Sequence, residues 1–348
     1  MRNLGRIPLI VVAILAGGVL AAACGSSSNT PAPSASPSAV NTSAAGPATA
    51  AATPAAYPVT VTDLLGRSVT IKAKPMTIVA LSPTAVEFVY AAGGTVVGRT
   101  DTATYPAAAA QAANIGSAYQ PNMEKILALK PDLIVADSIL DAQPQLKSAI
   151  DGTGITTIYA GVDSYQKVLD GLTLMGKVLD NSAATDKVAA AVTKARDDAR
   201  AALAGKHISA LAITADQNQV LYGAKANSYA GDILTQLGIS NPASSLPDAG
   251  PFPGYTTLAQ EKIIQFNPDF IFTVTPAPPP VPRLSTTIPQ IPAFASLKAV
   301  KDHHVIEAPV ELIEAPGPRI IDAFRAITAA VLGQPTSTTA VATASAGN

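Results

Sequence analysis

Between residues 57 and 335 the apolar positions form short solid runs separated by amphipathic stretches of helical period, and the two kinds alternate. Residues 59–61 (VTV) and 69–71 (VTI) flank the segment DLLGR at 63–67, which predicts a hairpin with Gly66 at its turn. Residues 77–81 read as a buried strand, and residues 83–92 as a helix stopped by Gly93 and Gly94. Further strands are predicted at 96–97, 133–136 and 156–159. Two long helical patterns follow, 164–179 and about 183–203, the second ending at Gly205. Strands recur at 208–214, 270–274 and 304–306. Such alternation implies mostly parallel sheets flanked by helices. The fold class expected is therefore α/β with two lobes, residues 57–180 and 206–335, joined by one long linking helix at 181–205, with a ligand cleft between the lobes.

The ends of the chain break this pattern. Arg2 and Arg6 precede an apolar run over residues 7–23, followed by Cys24, which is how a secretory signal reads. The sequence VLAAACG around Cys24 resembles a bacterial lipobox, with Ala21 in the usual leucine's place and Leu20 one position further out. The resemblance implies cleavage after residue 23, lipid on Cys24 and a body held at the extracytoplasmic face of a membrane. An uncleaved anchor is the alternative, although 17 residues containing Pro8, Gly17 and Gly18 are few for a span. Residues 24–56, rich in Ala, Pro, Ser and Thr, predict a disordered tether, and residues 336–348 a similar tail.

Composition narrows the chemistry. The chain has 348 residues, 48% of them apolar and 14% charged, with a formal charge of −1. Near-neutrality argues against a nucleic-acid partner, which needs a basic face. The 3 His and single Cys exclude zinc ribbons and disulfide scaffolds. His303 and His304 are adjacent, and neighbours on a strand face opposite ways, so they cannot chelate one ion together. No metal site and no resident cofactor are expected. No nucleophile elbow, P-loop or His-Glu-x-x-His motif occurs, so an enzyme is not expected either.

An internal echo carries the functional signal. The segment EKILALKPDLI beginning at Glu124 recurs as EKIIQFNPDFI beginning at Glu261, 137 residues later, with six of eleven positions identical. Each copy predicts a short helix, broken by Pro131 or Pro268, with a strand immediately after. Asn122 is the candidate N-cap of the first; Thr257 with Gln260 reads as a capping box that would start the second earlier. A glutamate in a first helical turn is favoured by the macrodipole alone. Its repetition in both halves suggests instead a pair of separated anions able to engage arginines of a partner.

At this point the chain resembles the substrate-binding lipoproteins of ABC importers for iron–siderophores, haem and cobalamin. The resemblance rests on VTDLLGRSVTI from Val61, IVALSPTAVE from Ile78 to Glu87, NIG at 114–116, FASLKAV from Phe294, and PGPRIID from Pro316. It implies that Glu124 and Glu261 dock on an ABC permease dimer served by its ATPase, and that a small metal chelate, carrying Fe³⁺ or cobalt as cargo, lies between the lobes. A ferric siderophore is the first expectation, with haem or cobalamin as alternatives. A lipoprotein that reports its ligand to a signalling partner is a further alternative. A monomeric receptor is expected.

Ligands of open α/β sheets bind outside the carboxyl ends of the strands. That rule selects Ser82, Arg99, Tyr105, Tyr119, Asp137 and Tyr159 in the first lobe. In the second it selects Tyr222, Tyr229, Tyr255, Arg283 and Arg319. Arg319 is placed in the first turn of a helix opened by Pro318, where the dipole disfavours a cation, so an anion should offset it. Glu311 or Glu314 is the expected partner, and an anionic ligand the alternative.

Overall fold

The computed structural model describes residues 57–137, 140, 143–161, 163–275, 280–313 and 315–334. Cys24, the signal segment, the tether and the tail lie outside the described residues. The chain enters through an antiparallel hairpin, β1 (Val59–Thr62) and β2 (Ser68–Ile71), paired from Val59 opposite Ile71 to Thr62 opposite Ser68. Gly66, at φ +77°, supplies the left-handed turn. Asp63 organises it: its carboxylate accepts from the amides of Leu65 (3.1 Å) and Arg67 (2.9 Å) and from Arg67 Nε (2.9 Å). The Arg67 guanidinium then lies 4.4 Å above the ring of Tyr159. Because Asp63 is buried and answers several donors, Asp63→Ala should lower unfolding stability by roughly 3 kcal/mol in chemical denaturation.

The first sheet is wholly parallel in the order β5-β4-β3-β6-β7, from β3 (Ile78–Ala80), β4 (Gly98–Arg99), β5 (Ala113–Asn114), β6 (Leu133–Asp137) and β7 (Thr157–Gly161). Its helices are α1 (Pro83–Ala91), α2 (Met123–Ala128) and α3 (Pro144–Asp151). Next come α4 (Tyr165–Val178) and α5 (Ser182–Ala202), packed against each other. The second sheet has the order β10-β9-β8-β11-β12, from β8 (Ala210–Ala215), β9 (Leu221–Ala224), β10 (Tyr255–Thr257), β11 (Phe270–Val274) and β12 (Val305–Glu307). With it come α6 (Tyr229–Gln236), α7 (Gln260–Phe266), α8 (Leu284–Thr287), α9 (Lys298–Lys301), α10 (Val310–Ile313) and α11 (Ile320–Val331).

Two features depart from the sequence reading. In the second sheet β8, β9 and β10 run antiparallel, and only β8, β11 and β12 are parallel. The link from β8 to β9 is a tight turn at Asp216–Val220 with Gln219 at φ +63°, too short for a crossover. The Thr257–Gln260 capping box is also absent. Thr257 ends β10, and α7 begins after Ala259 with no side-chain cap.

Successive strand residues feed different cores, as period two requires. Leu133 and Val135 pack on the inner face of the first sheet, Ile134 and Ala136 on its outer face. In the second, Ala210, Ala212, Phe270 and Phe272 face inward, while Leu211, Ile213 and Ile271 face outward. The two inner faces join α1, α4, α6 and α11 in one continuous apolar cluster reaching both lobes. Across it the Tyr165 amide donates to Asp232 at 2.6 Å. A shared core of this kind restrains the lobes against wide opening.

Candidate receptor sites

The echo is structural down to individual hydrogen bonds. Asp132 accepts from the amides of Met76 (2.8 Å) and Thr77 (3.0 Å), just before β3, and Asp269 accepts from the amide of Ser209 (2.8 Å), just before β8. Lys130 and Asn267, each preceding the proline, both adopt left-handed backbone at φ +50° and +42°. Ile126 is buried on the outer face of the first sheet and Ile263 on the outer face of the second. Four of the six shared residues, the isoleucine, proline, aspartate and final isoleucine, are therefore explained by folding. Glu124 and Glu261 are not. Each stands exposed in the first turn of its helix, and neither carboxylate makes a hydrogen bond or ion pair among the described residues. Asn122 caps α2 as expected, accepting from the Lys125 amide at 2.9 Å. Because α2 and α7 run into β6 and β11, their first turns lie toward the carboxyl edges of the two sheets.

The second cluster forms where α11 meets α1. Arg319 Nε donates to Glu87 Oε1 at 2.7 Å, and its guanidinium lies 4.7 Å over the ring of Tyr105. Glu87 belongs to α1, so its carboxylate crosses from the first lobe to the start of the last helix. Glu314 and the side chain of Glu311, the expected partners of Arg319, lie outside the described residues; among those described the offsetting anion is Glu87, 232 residues away. Gly317 permits the approach, since a Cβ there would sit 2.9 Å from Glu87 Oε2. Burial pushes the Glu87 carboxyl up to about 7, against the opposing pull of Arg319. Burial, and then the Glu87 charge, also raise the hydroxyls of Tyr105 and Tyr229. Among the described residues the two terminal nitrogens of Arg319 have no hydrogen-bond acceptor. A planar cation held on an aromatic face, with donors to spare, can receive an anion.

The other selected residues divide. Tyr119 is 68% exposed ahead of α2, and Arg99 ties the following loop by donating to the carbonyls of Ala109 (3.0 Å) and Thr100 (2.9 Å). Ser82 is buried and spent as the N-cap of α1, accepting from the Ala85 amide at 3.0 Å. Asp137 is buried where β6 shifts register. Tyr159 is a correction: it is fully buried in the outer-face core of the first sheet, because its β7 position points away from α1. Tyr222 donates to Asp216 at 3.2 Å and meets Phe252 edge-on, and Tyr255 also meets Phe252 edge-on. Arg283 precedes α8 and donates to the Thr275 carbonyl at 3.3 Å. Among the described residues no group of three or more His, Cys, Asp or Glu could hold a metal ion, and no helix is long and apolar enough to cross a membrane.

A family model described as periplasmic binding protein matches residues 78–312, covering both sheets, the linking helix and both copies of the echo. The chain belongs to that family. It is a periplasmic binding protein.

This periplasmic binding protein is 24% identical over 273 residues to the uncharacterized ABC transporter substrate-binding lipoprotein YvrC of Bacillus subtilis (strain 168), covering 76% of this chain and 83% of that one. It is 26% identical over 201 residues to the Fe(3+)-citrate-binding protein YfmC of the same organism, covering 56% of this chain and 59% of that protein. Among solved structures it shares its fold with Staphylococcus aureus SirA complexed with staphyloferrin B, at a TM-score of 0.62 and 22% identity, over 79% of this chain and 98% of that one. It is thus a substrate-binding protein of the ABC importers, a solute receptor rather than an enzyme, working with a permease and its ATPase. Two residues that shape the candidate site escape sequence reasoning. Glu87 sits inside an apolar helix, where its charge is the only signal, and Glu307 takes the amides of Thr275 (2.9 Å) and Ser285 (3.2 Å) to shape the loop bearing Arg283.

Proposed function

We propose that this receptor binds a ferric siderophore between its lobes and delivers it to the permease through Glu124 and Glu261. The observation that carries the reading is the pair of exposed glutamates, without a partner among the described residues, at the same place in two repeats, four of whose other five shared residues are occupied in folding. A twofold set of anions suits a partner that presents two cationic sites. Arg319 over Tyr105 supports an anionic chelate as cargo, since its spare donors and aromatic support match carboxylate or catecholate oxygens. The likeness to a ferric-citrate-binding relative points the same way. Tyr119, Arg99, Tyr222, Tyr229, Tyr255 and Arg283 remain candidates to line the site. The receptor works as a monomer, held by lipid on Cys24 at the extracytoplasmic face.

Calorimetric titration of the mature chain from Cys24 tests the cargo, with ferric hydroxamate, ferric catecholate, ferric citrate, haemin and cyanocobalamin as the panel. Quenching of the nine tyrosines, undisturbed by tryptophan, gives a second readout. Saturation by a ferric chelate, with Arg319→Ala weakening it by roughly 10–100-fold, is the expected result. Saturation by haemin or cyanocobalamin alone would overturn the siderophore assignment.

A further inference from the structure

Beside each glutamate stands an apolar side chain that folding does not need. Leu127 is 49% exposed and Ile264 39% exposed. They are 137 residues apart, the same offset as Glu124 and Glu261, and each lies three positions after its glutamate. Residues at that spacing share one face of a helix. The neighbouring Ile126 and Ile263 turn the other way and are buried. A single exposed leucine needs no explanation. Here five of the eleven echo positions differ between the copies, yet this one keeps a branched apolar residue in water both times.

We propose, resting on the importer reading above, that each echo helix docks by two points, a carboxylate and an apolar knob. The occupant is a permease of two matching subunits, each offering a cationic side chain beside an apolar recess. The charge selects that occupant. Glutamates would be repelled by an anionic lipid surface, and a duplicated anion–apolar pair on one chain finds two like complements most simply on a twofold partner. The division of labour follows from the two chemistries: the carboxylates set orientation and encounter rate, while burial of Leu127 and Ile264 slows release.

A photo-crosslinking amino acid placed at 127, and separately at 264, in the full-length chain in its own host tests this. Position 194 on α5 is the control. Both test positions, and not the control, should capture one and the same multi-span membrane protein. Co-purification of that protein with the receptor should fall roughly tenfold for each site changed in Leu127→Ser and Ile264→Ser. It should recover in Leu127→Met with Ile264→Met, with thermal unfolding unchanged throughout. Capture of a second copy of this chain, of lipid, of different proteins at the two positions, or of nothing would overturn the proposal. So would undiminished co-purification of the serine pair. Glu124→Lys with Glu261→Lys separates the two ideas. If charge reversal disrupts co-purification and the serine pair does not, the apolar knobs fail while the importer reading stands. If the serine pair disrupts it and charge reversal does not, the carboxylate role fails alone.

Discussion

Reversing both carboxylates, Glu124→Lys with Glu261→Lys, should cut chelate uptake by whole cells at least a hundredfold while the purified receptor keeps its ligand affinity. A charge-assisted contact is worth about 1.5–3 kcal/mol, and a like charge in its place adds repulsion, so two inverted sites exceed the roughly 2.7 kcal/mol that corresponds to a hundredfold. Folding should be nearly untouched. Both side chains are exposed, without partners among the described residues, and losing their favourable place at a helix start costs about 0.3–1 kcal/mol each. Neither glutamate touches the Arg319 cluster, which is why affinity should persist. Uptake of radiolabelled iron as the chelate selected by titration, beside calorimetry on the same protein, measures both quantities. Unimpaired uptake, or affinity lost together with uptake, would remove these glutamates from the docking role.

The second large effect concerns pH. Glu87 binds its proton more tightly in the folded protein, near 7, than in the unfolded chain, near its ordinary 4.5. Its contribution to stability is therefore fully present below pH 4.5 and is lost as pH rises through about 7. A displacement of that size corresponds to about 3 kcal/mol. Glu87→Gln removes this titration while leaving an amide oxygen beside Arg319. The variant should gain about 3 kcal/mol relative to the parent between pH 4.5 and pH 7.5, read from urea unfolding across that range. The groups facing Glu87 do not imitate the effect. Burial holds the Tyr105 and Tyr229 hydroxyls above their ordinary 10, and Asp322, raised by burial, is present in both proteins. A difference between the proteins that stays flat with pH would mean that the Glu87 carboxyl is not held protonated by its burial.

Much of this was legible in residue order because it is local. The observed helix Ser182–Ala202 falls where its apolar period places it, and Phe270–Val274 matches the predicted strand residue for residue. Solid runs bounded by glycine and proline become strands buried on both faces, since a parallel sheet covered on both sides needs no polar alternation. Asn122 could be read as a cap because capping reaches only three residues. Thr257 could not be judged the same way. Whether it caps a helix or ends a strand depends on β9, which pairs it with Tyr222.

What the chain determined by itself was the alternation of elements, the division into two halves and the duplicated acidic helix, all set by interactions within a few residues or by comparing one stretch with another. What only the tertiary structure decided was which member of each motif remains free. The echo's prolines and isoleucines are buried and its aspartates bind the amides leading into neighbouring strands, while the glutamates are left in water. Arg319 showed from its helix position that it needed an anion, but the carboxylate that answers it comes from 232 residues earlier. No local period encodes such a pairing, because it forms only when two lobes close one core between them.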